Sequence, residues 1–266
     1  MDLTHSNEES GVVPMKKDVM ILIPAYNEEN SIQKLLLSMK EMQISDWADI
    51  VVVNDGSKDN TADIVRSFGV ELIDLVYNMG YGSALQVGYK YAVNSQYEYI
   101  IQMDADGQHD IINIEHVYKA LTKGKGNNEA PDIVIGSRFL NDSISFRVSF
   151  LKRLVILFFS KLIKRTTGFE ITDPTSGLQG LNRQAFSYYS GFSNFDYTYP
   201  DINMIVQMLL NGFHIMEIPA VMHERKEGTS MHAGIIKPIK YMFLMTLSTM
   251  NAILRNKKKL KWNKEL

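Results

Sequence analysis

Two aspartates separated by a single residue, Asp104-Ala105-Asp106, directly follow the apolar run 98–103 and lead into Gly107 and Gln108. In an extended segment, side chains two residues apart point the same way. Paired carboxylates of this kind are hard oxygen ligands suited to Mg2+ or Mn2+ shared with a diphosphate, and such a metal would neutralise a departing nucleoside diphosphate. Acid pairs are also common in turns, so the reading rests on their position at the end of an apolar run. Two more polar clusters occupy equivalent places: Pro24-Ala25-Tyr26-Asn27-Glu28 after the run 19–23, and Asn54-Asp55-Gly56-Ser57 after the run 49–53. Asp55, one residue past its run, is suited to accept a nucleobase N–H. Tyr26 reads either as a core aromatic with a bonded tip or as a ring that stacks on a base. Residues 57–61 read as turn and helix-cap chemistry. Asn78-x-Gly80-x-Gly82 lets backbone approach a ligand closely but matches neither the P-loop nor the dinucleotide fingerprint.

The elements that must position these clusters alternate in type. Runs at 19–23, 49–53, 71–76, 98–103 and 132–135 predict strands, and the patterns at 29–43, 60–68, 82–95 and 111–121 predict helices between them. This spacing argues for an α/β fold with a mostly parallel sheet covered by helices on both faces. Ligands of such sheets bind at the carboxyl ends of the strands, so the three clusters converge on one edge.

The segments PAYNEE, VVVNDGSKDNT, NMGYGSALQVGYKYA, QMDADGQHD and IGSRF, in this order, resemble the family 2 inverting glycosyltransferases with a GT-A (Rossmann-like) fold. The resemblance spans about residues 19–225 and is strongest to bacterial surface-polysaccharide and polyprenyl-phosphate sugar transferases. It implies that Pro24, Ala25, Tyr26 and Glu28 bind the nucleoside, that Asp55 contacts the base, and that Asp104, Ala105 and Asp106 form the sugar-nucleotide site. The metal ligands it implies are Asp104 and Asp106, with Gln108 as an extra ligand. Arg138 of Gly136-Ser137-Arg138 is implied to face phosphate, with Arg147 or Arg153 as a second cation, since the planar guanidinium grips phosphate with two hydrogen bonds.

The resemblance also implies an acceptor side in the second half. Asp173, within 171–177, matches a segment that closes over the donor sugar and carries a proposed catalytic Asp. Asp201 is a second candidate, because Tyr199-Pro200-Asp201 followed eleven residues later by Gly212 reproduces the spacing of the family's Glu-Asp pair, although Pro200 replaces the Glu. The other reading of Asp201 is a cap on a helix over 202–210. Residues 223–230 resemble a loop from which Arg225 reaches the diphosphate. His109, His223 and His232 read as metal ligands or as structural histidines.

Transfer to a sugar hydroxyl needs a base to remove its proton, whereas a lipid phosphate is already anionic and needs only positioning. The activity that the resemblance implies is inverting, metal-dependent transfer from a UDP- or GDP-linked sugar to a cell-surface polysaccharide or glycolipid precursor. The alternative is transfer to polyprenyl phosphate, and a reading from another class is a nucleotide-sugar-binding scaffold. The segment PAYNEEN lacks the glycine-rich basic loop of nucleotidyltransferases.

Composition narrows the setting. The 266 residues carry 28 basic and 30 acidic groups, 45% apolar residues and no cysteine. The missing cysteines exclude disulfide frameworks, thiolate zinc sites and cysteine nucleophiles, and fit a reducing compartment. Residues 147–169 hold six basic and no acidic side chains, and residues 223–266 hold ten basic and three acidic, so the rest of the chain is strongly acidic. Residues 1–17 read as a disordered arm without a signal peptide, 18–230 as the catalytic domain, and 231–266 as an amphipathic helix with a basic tail. The apolar stretches at 154–159 and 242–254 are shorter than the roughly 20 residues a spanning helix needs. The C-terminal stretch, Met-rich and followed by lysines and Trp262, reads as an anchor on an anionic membrane surface, or equally as a core-packing or dimerising helix. The expected location is cytoplasmic, peripheral on the inner face of the plasma membrane. Motifs for nucleic-acid binding are lacking.

Overall fold

The computed structural model describes residues 17–123, 130–146, 148–198, 200–224 and 236–262. Its centre is a seven-stranded sheet built from β1 (Val19–Ala25), β2 (Asp49–Asn54), β3 (Glu71–Asp74), β4 (Tyr99–Gln102), β5 (Ile133–Ser137), β6 (Gln179–Asn182) and β7 (Ile215–Pro219). The strand order is β3-β2-β1-β4-β6-β5-β7. All pairings are parallel except those of β6, which runs antiparallel to both β4 and β5.

The continuous apolar sequence of β1 arises because all seven of its residues are buried between helical layers. Alternation along the strand assigns them. Met20 and Leu22 join Val51, Leu85, Tyr89, Phe159 and Phe186 in one core, whereas Val19, Ile21 and Ile23 join Ile32, Leu36, Val52 and Ile114 in the other. The first core is covered by α3 (Tyr81–Asn94), α5 (Phe150–Thr167), α6 (Arg183–Ser190) and α7 (Ile202–Leu210), and the second by α1 (Glu29–Glu41), α2 (Thr61–Ser67) and α4 (Ile112–Thr122).

The five predicted strands are present, with ends within two residues of expectation. Strand β3 stops at Asp74 because the chain turns outward, leaving Val76 and Tyr77 exposed. The sequence reading lacked β6 and β7. The reversal at β6 matters for function: residues that precede this strand, 172–178, arrive at the edge where the parallel strands end.

The C-terminal helix α8 (Ile236–Trp262) packs on α7 through buried Met245, Thr249, Ala252 and Asn256. Asn203 Nδ2 donates to Ser248 Oγ (2.8 Å), and that hydroxyl donates to Asp196 Oδ2 (2.6 Å), fastening α8 to the domain. Its other face exposes Phe243, Leu247, Met250 and Leu254. One side of this helix thus packs on the domain, as the core-packing reading expects, and the other is exposed. Among the described residues, no helix is long and apolar enough to cross a membrane.

Candidate active site

The loops after β1 and β2 are stapled together. Asn27, in the left-handed region at φ 54, donates its N–H to Ser57 Oγ (2.9 Å) and accepts the Lys58 N–H at Oδ1 (2.8 Å). Glu28 N–H donates to Thr61 Oγ1 (2.9 Å), and Glu29 N–H donates to Asp59 Oδ2 (3.1 Å), so Asp59 serves the start of α1 as well as its own turn. Burial pushes the Asp59 carboxyl up, but hydrogen bonds from Thr61 and Glu29 outweigh this and hold it below its ordinary value. Residues 57–61 therefore do the turn work their sequence suggested. Tyr26, held at the rim by this scaffold, is 42% exposed, which removes its reading as a core aromatic. Glu28 accepts a hydrogen bond from the Ser31 hydroxyl, and Pro24 and Ala25 pair with Val53 and Asn54 in the sheet.

Asp55 is buried, and its carboxylate accepts the N–H groups of Met79 (2.7 Å) and Gly80 (2.8 Å). It thereby folds the 78–80 loop against the strand end. Gly56, at φ 64, lies so close to the Tyr77 backbone that a Cβ would collide with it. The glycine-rich motif thus forms a wall beside Asp55.

Asp104 and Asp106 emerge past β4 half-buried, with Ala105 buried between them. Asp104 Oδ1 accepts the Tyr81 hydroxyl (3.0 Å), and its Oδ2 lies 3.8 Å from His109 Nε2. Asp106 Oδ1 accepts the Gln108 N–H (3.0 Å), and Gln108 O accepts the His223 N–H (2.7 Å). His223 Nε2 pairs with Asp110 (2.8 Å), locking this loop to the chain after β7. His109 is buried with its Nδ1 unpartnered. Mg2+ and Mn2+ sites that serve a diphosphate take one or two protein carboxylates and complete their shell with phosphate oxygens and water. The half-buried pair Asp104 and Asp106, with Gln108 beside them, fits that requirement. Among the described residues, no group of three or more His, Cys, Asp or Glu gathers at one point.

Asp173 and Arg138 meet because of the reversal at β6. Arg138, after β5, donates through Nε to Asp173 Oδ2 (2.6 Å) and through an Nη to Asp173 Oδ1 (2.6 Å), and its backbone N–H also reaches Oδ2 (3.0 Å). The Asp173 residue is 0% exposed and Arg138 7%. A second carboxylate supports the pair. Glu217 on β7 accepts the Thr172 and Asp173 N–H groups (2.7 and 2.8 Å), and burial raises its pKa although these bonds pull it down. Asp173 is therefore sealed and committed to Arg138.

The first turn of α5 adds a cation that sequence reasoning passed over. Lys152 lies on an exposed part of the chain, yet desolvation and the Arg138 guanidinium lower its pKa, against the pull of Asp173, Asp106 and Asp104. Arg153 beside it is exposed. No local pattern marks Lys152; only the way α5 leans over the edge brings it in. Arg147, Arg225 and His232 lie outside the described residues.

Asp201 stands at the start of α7 without capping it by its side chain. Asn203 Oδ1 takes that role, accepting the Met204 N–H (2.9 Å). The Asp201 charge instead bears on Tyr81, the partner of Asp104, and Asp201 lines a small cavity with Gln102, Tyr89 and Pro200.

A mostly parallel sheet with one reversed strand, flanked by helices on both faces, is the GT-A fold of glycosyltransferases. The Glycosyl transferase family 2 model matches residues 20–189, and the chain belongs to that family. Polyprenol monophosphomannose synthase of Mycolicibacterium smegmatis is 26% identical over 86% of this chain and 86% of its own length. A dolichyl-phosphate beta-glucosyltransferase of Trichomonas vaginalis is 33% identical over 63% of this chain and 54% of its own. Among solved structures, glucosyl-3-phosphoglycerate synthase from Mycobacterium tuberculosis, in complex with Mn2+, UDP-glucose and phosphoglyceric acid, superposes with a TM-score of 0.62 at 13% identity, covering 89% of this chain and 80% of that one.

Proposed function

We propose that this glycosyltransferase moves a sugar from a nucleoside diphosphate to a polyprenyl phosphate, with inversion, as a peripheral protein on the cytoplasmic face of a membrane. The observation that carries this reading is Lys152, exposed at the start of α5 and within the field of Asp104 and Asp106, beside the buried Arg138–Asp173 pair. The edge thus offers a cation for an acceptor phosphate beside carboxylates for a metal-bound diphosphate. The lipid-phosphate transferases among the relatives support the same acceptor, and this reading takes precedence over transfer to a polysaccharide or glycolipid hydroxyl.

The chemistry is consistent with the sealed state of Asp173. In the transfer, an acceptor phosphate oxygen bonds to the anomeric carbon while the bond from that carbon to the diphosphate breaks, and the electron pair leaves with the nucleoside diphosphate. A phosphate monoester is already anionic, so no side chain need take a proton; Lys152 orients it beside the Arg138–Asp173 pair. Asp173 fixes the Arg138 fork, Tyr26 and the Asp55 wall receive the nucleoside of a UDP- or GDP-linked donor, and Asp104, Asp106 and Gln108 would hold Mg2+ or Mn2+. When bound, that ion supplies charge neutralisation for the leaving diphosphate. Were the acceptor a sugar hydroxyl, Asp201 would have to serve as base.

The test is to incubate the protein with a short polyprenyl phosphate, Mn2+ and labelled UDP- and GDP-sugars. Label that enters the organic phase and is released by mild acid is the expected result. Label found only in a water-soluble glycan would return the hydroxyl acceptor to first place, and no transfer from any donor would favour the scaffold.

Membrane association is supported by two apolar stripes. Helix α5 exposes Phe150, Leu154, Leu157 and Phe158 within the acid-free stretch 147–169, and α8 exposes Phe243, Leu247, Met250 and Leu254. Apolar stripes with basic flanks suit an anionic leaflet. Joint replacement Leu154→Asp and Phe158→Asp is expected to abolish cosedimentation with anionic vesicles at low salt while leaving the melting temperature unchanged. Undiminished binding would contradict the role of α5.

A further inference from the structure

Tyr81 opens α3 within the glycine-rich motif, and its hydroxyl ends a line of hydrogen bonds that starts in the core. The Tyr89 hydroxyl donates to Gln102 Oε1. With its oxygen thus engaged, the Gln102 amide turns its nitrogen to the Tyr81 hydroxyl oxygen (3.3 Å) and to the Gly177 carbonyl (3.3 Å). The Tyr81 hydrogen is then left for Asp104 Oδ1, 3.0 Å away. On its other side the Asp104 carboxylate lies against Gly177, where any Cβ would strike Oδ2. The carboxylate is thus held between a directed donor and a residue with no side chain.

We propose that Tyr81 is the positioning residue of Asp104: its hydroxyl occupies one carboxylate oxygen and fixes the rotamer in which Asp104 meets the cation of a bound nucleoside diphosphate. The inference rests on the metal-dependent nucleotide site proposed above and adds the group that orients it. Groups that orient metal-binding side chains are worth about 10–100-fold in affinity or activity, and the ring of Tyr81 can stay in place while its hydroxyl is removed.

The experiment follows free Mn2+ by electron paramagnetic resonance as the ion is titrated into wild type, Tyr81→Phe and Tyr89→Phe in the presence of UDP or GDP, with nucleotide binding without metal and thermal melting measured alongside. Tyr81→Phe is expected to raise the half-saturating Mn2+ concentration by about tenfold or more, with metal-free nucleotide affinity and melting temperature unchanged. Tyr89→Phe, which frees the Gln102 amide but keeps the Tyr81 hydroxyl, is expected to give a smaller shift in the same direction. An unchanged Mn2+ requirement in Tyr81→Phe overturns the inference, as does an equal loss of nucleotide binding with and without metal, which marks a merely structural role. Should Tyr81→Phe fail to fold, absence of any shift in Tyr89→Phe overturns it. If wild type itself binds no Mn2+ with either nucleotide, the reading of the site fails, and this inference with it.

Discussion

Asp173→Asn is expected to lower the melting temperature by roughly 10 °C, with turnover lost in proportion to the misplacement of Arg138. The pair is buried, and three hydrogen bonds from Arg138 end on the Asp173 carboxylate. Removing one partner of such a pair leaves an uncompensated charge in a low-dielectric setting and costs about 3–5 kcal/mol, and in a domain of this size each kcal/mol corresponds to about 2–4 °C. Differential scanning calorimetry checks it. A catalytic base at this position would give the opposite pattern, a stable protein with little turnover.

Asp106→Asn is expected to reduce sugar transfer by about two to three orders of magnitude while leaving the fold intact. Asp106 is half-buried and accepts the Gln108 N–H, a bond that an amide oxygen can also accept. What is lost is negative charge at the metal. Neutralising a leaving diphosphate is worth several kcal/mol, and each 1.4 kcal/mol is about tenfold in rate. Steady-state transfer at saturating Mn2+, paired with a melting curve, separates this from unfolding; turnover within twofold of wild type would remove Asp106 from the metal site.

Strands β1, β2 and β4 were legible because strands buried on both faces appear as uninterrupted apolar runs, and the clusters after them were legible for the same reason. Strand β6 was not: Gln179-Gly180-Leu181-Asn182 is four residues long with polar ends, and its Gly180 is where α4 packs closest through Val117. Strand β7 ends in a proline at the sheet edge. Missing β6 hid the pairing of Arg138 with Asp173 across 35 positions, so the sequence showed the carboxylate without its partner. Lys152 went unseen because the first turn of an amphipathic helix gives no local sign of which cation lies near the carboxylates of another element. Nothing in the glycine-rich motif marks Tyr81, since its partner lies 23 residues away on another strand end. Residues whose role follows from strand position were visible in the sequence, and those whose role depends on a crossing were not.

The claim that the edge around Asp104 and Asp106 is a metal-dependent nucleotide site is tested most directly by calorimetric titration of UDP and GDP into the folded wild-type protein, each with and without Mn2+. Binding of one nucleotide that strengthens on adding Mn2+ is the predicted result, and it names the donor class. Absence of binding by either nucleotide with Mn2+ present would contradict the account.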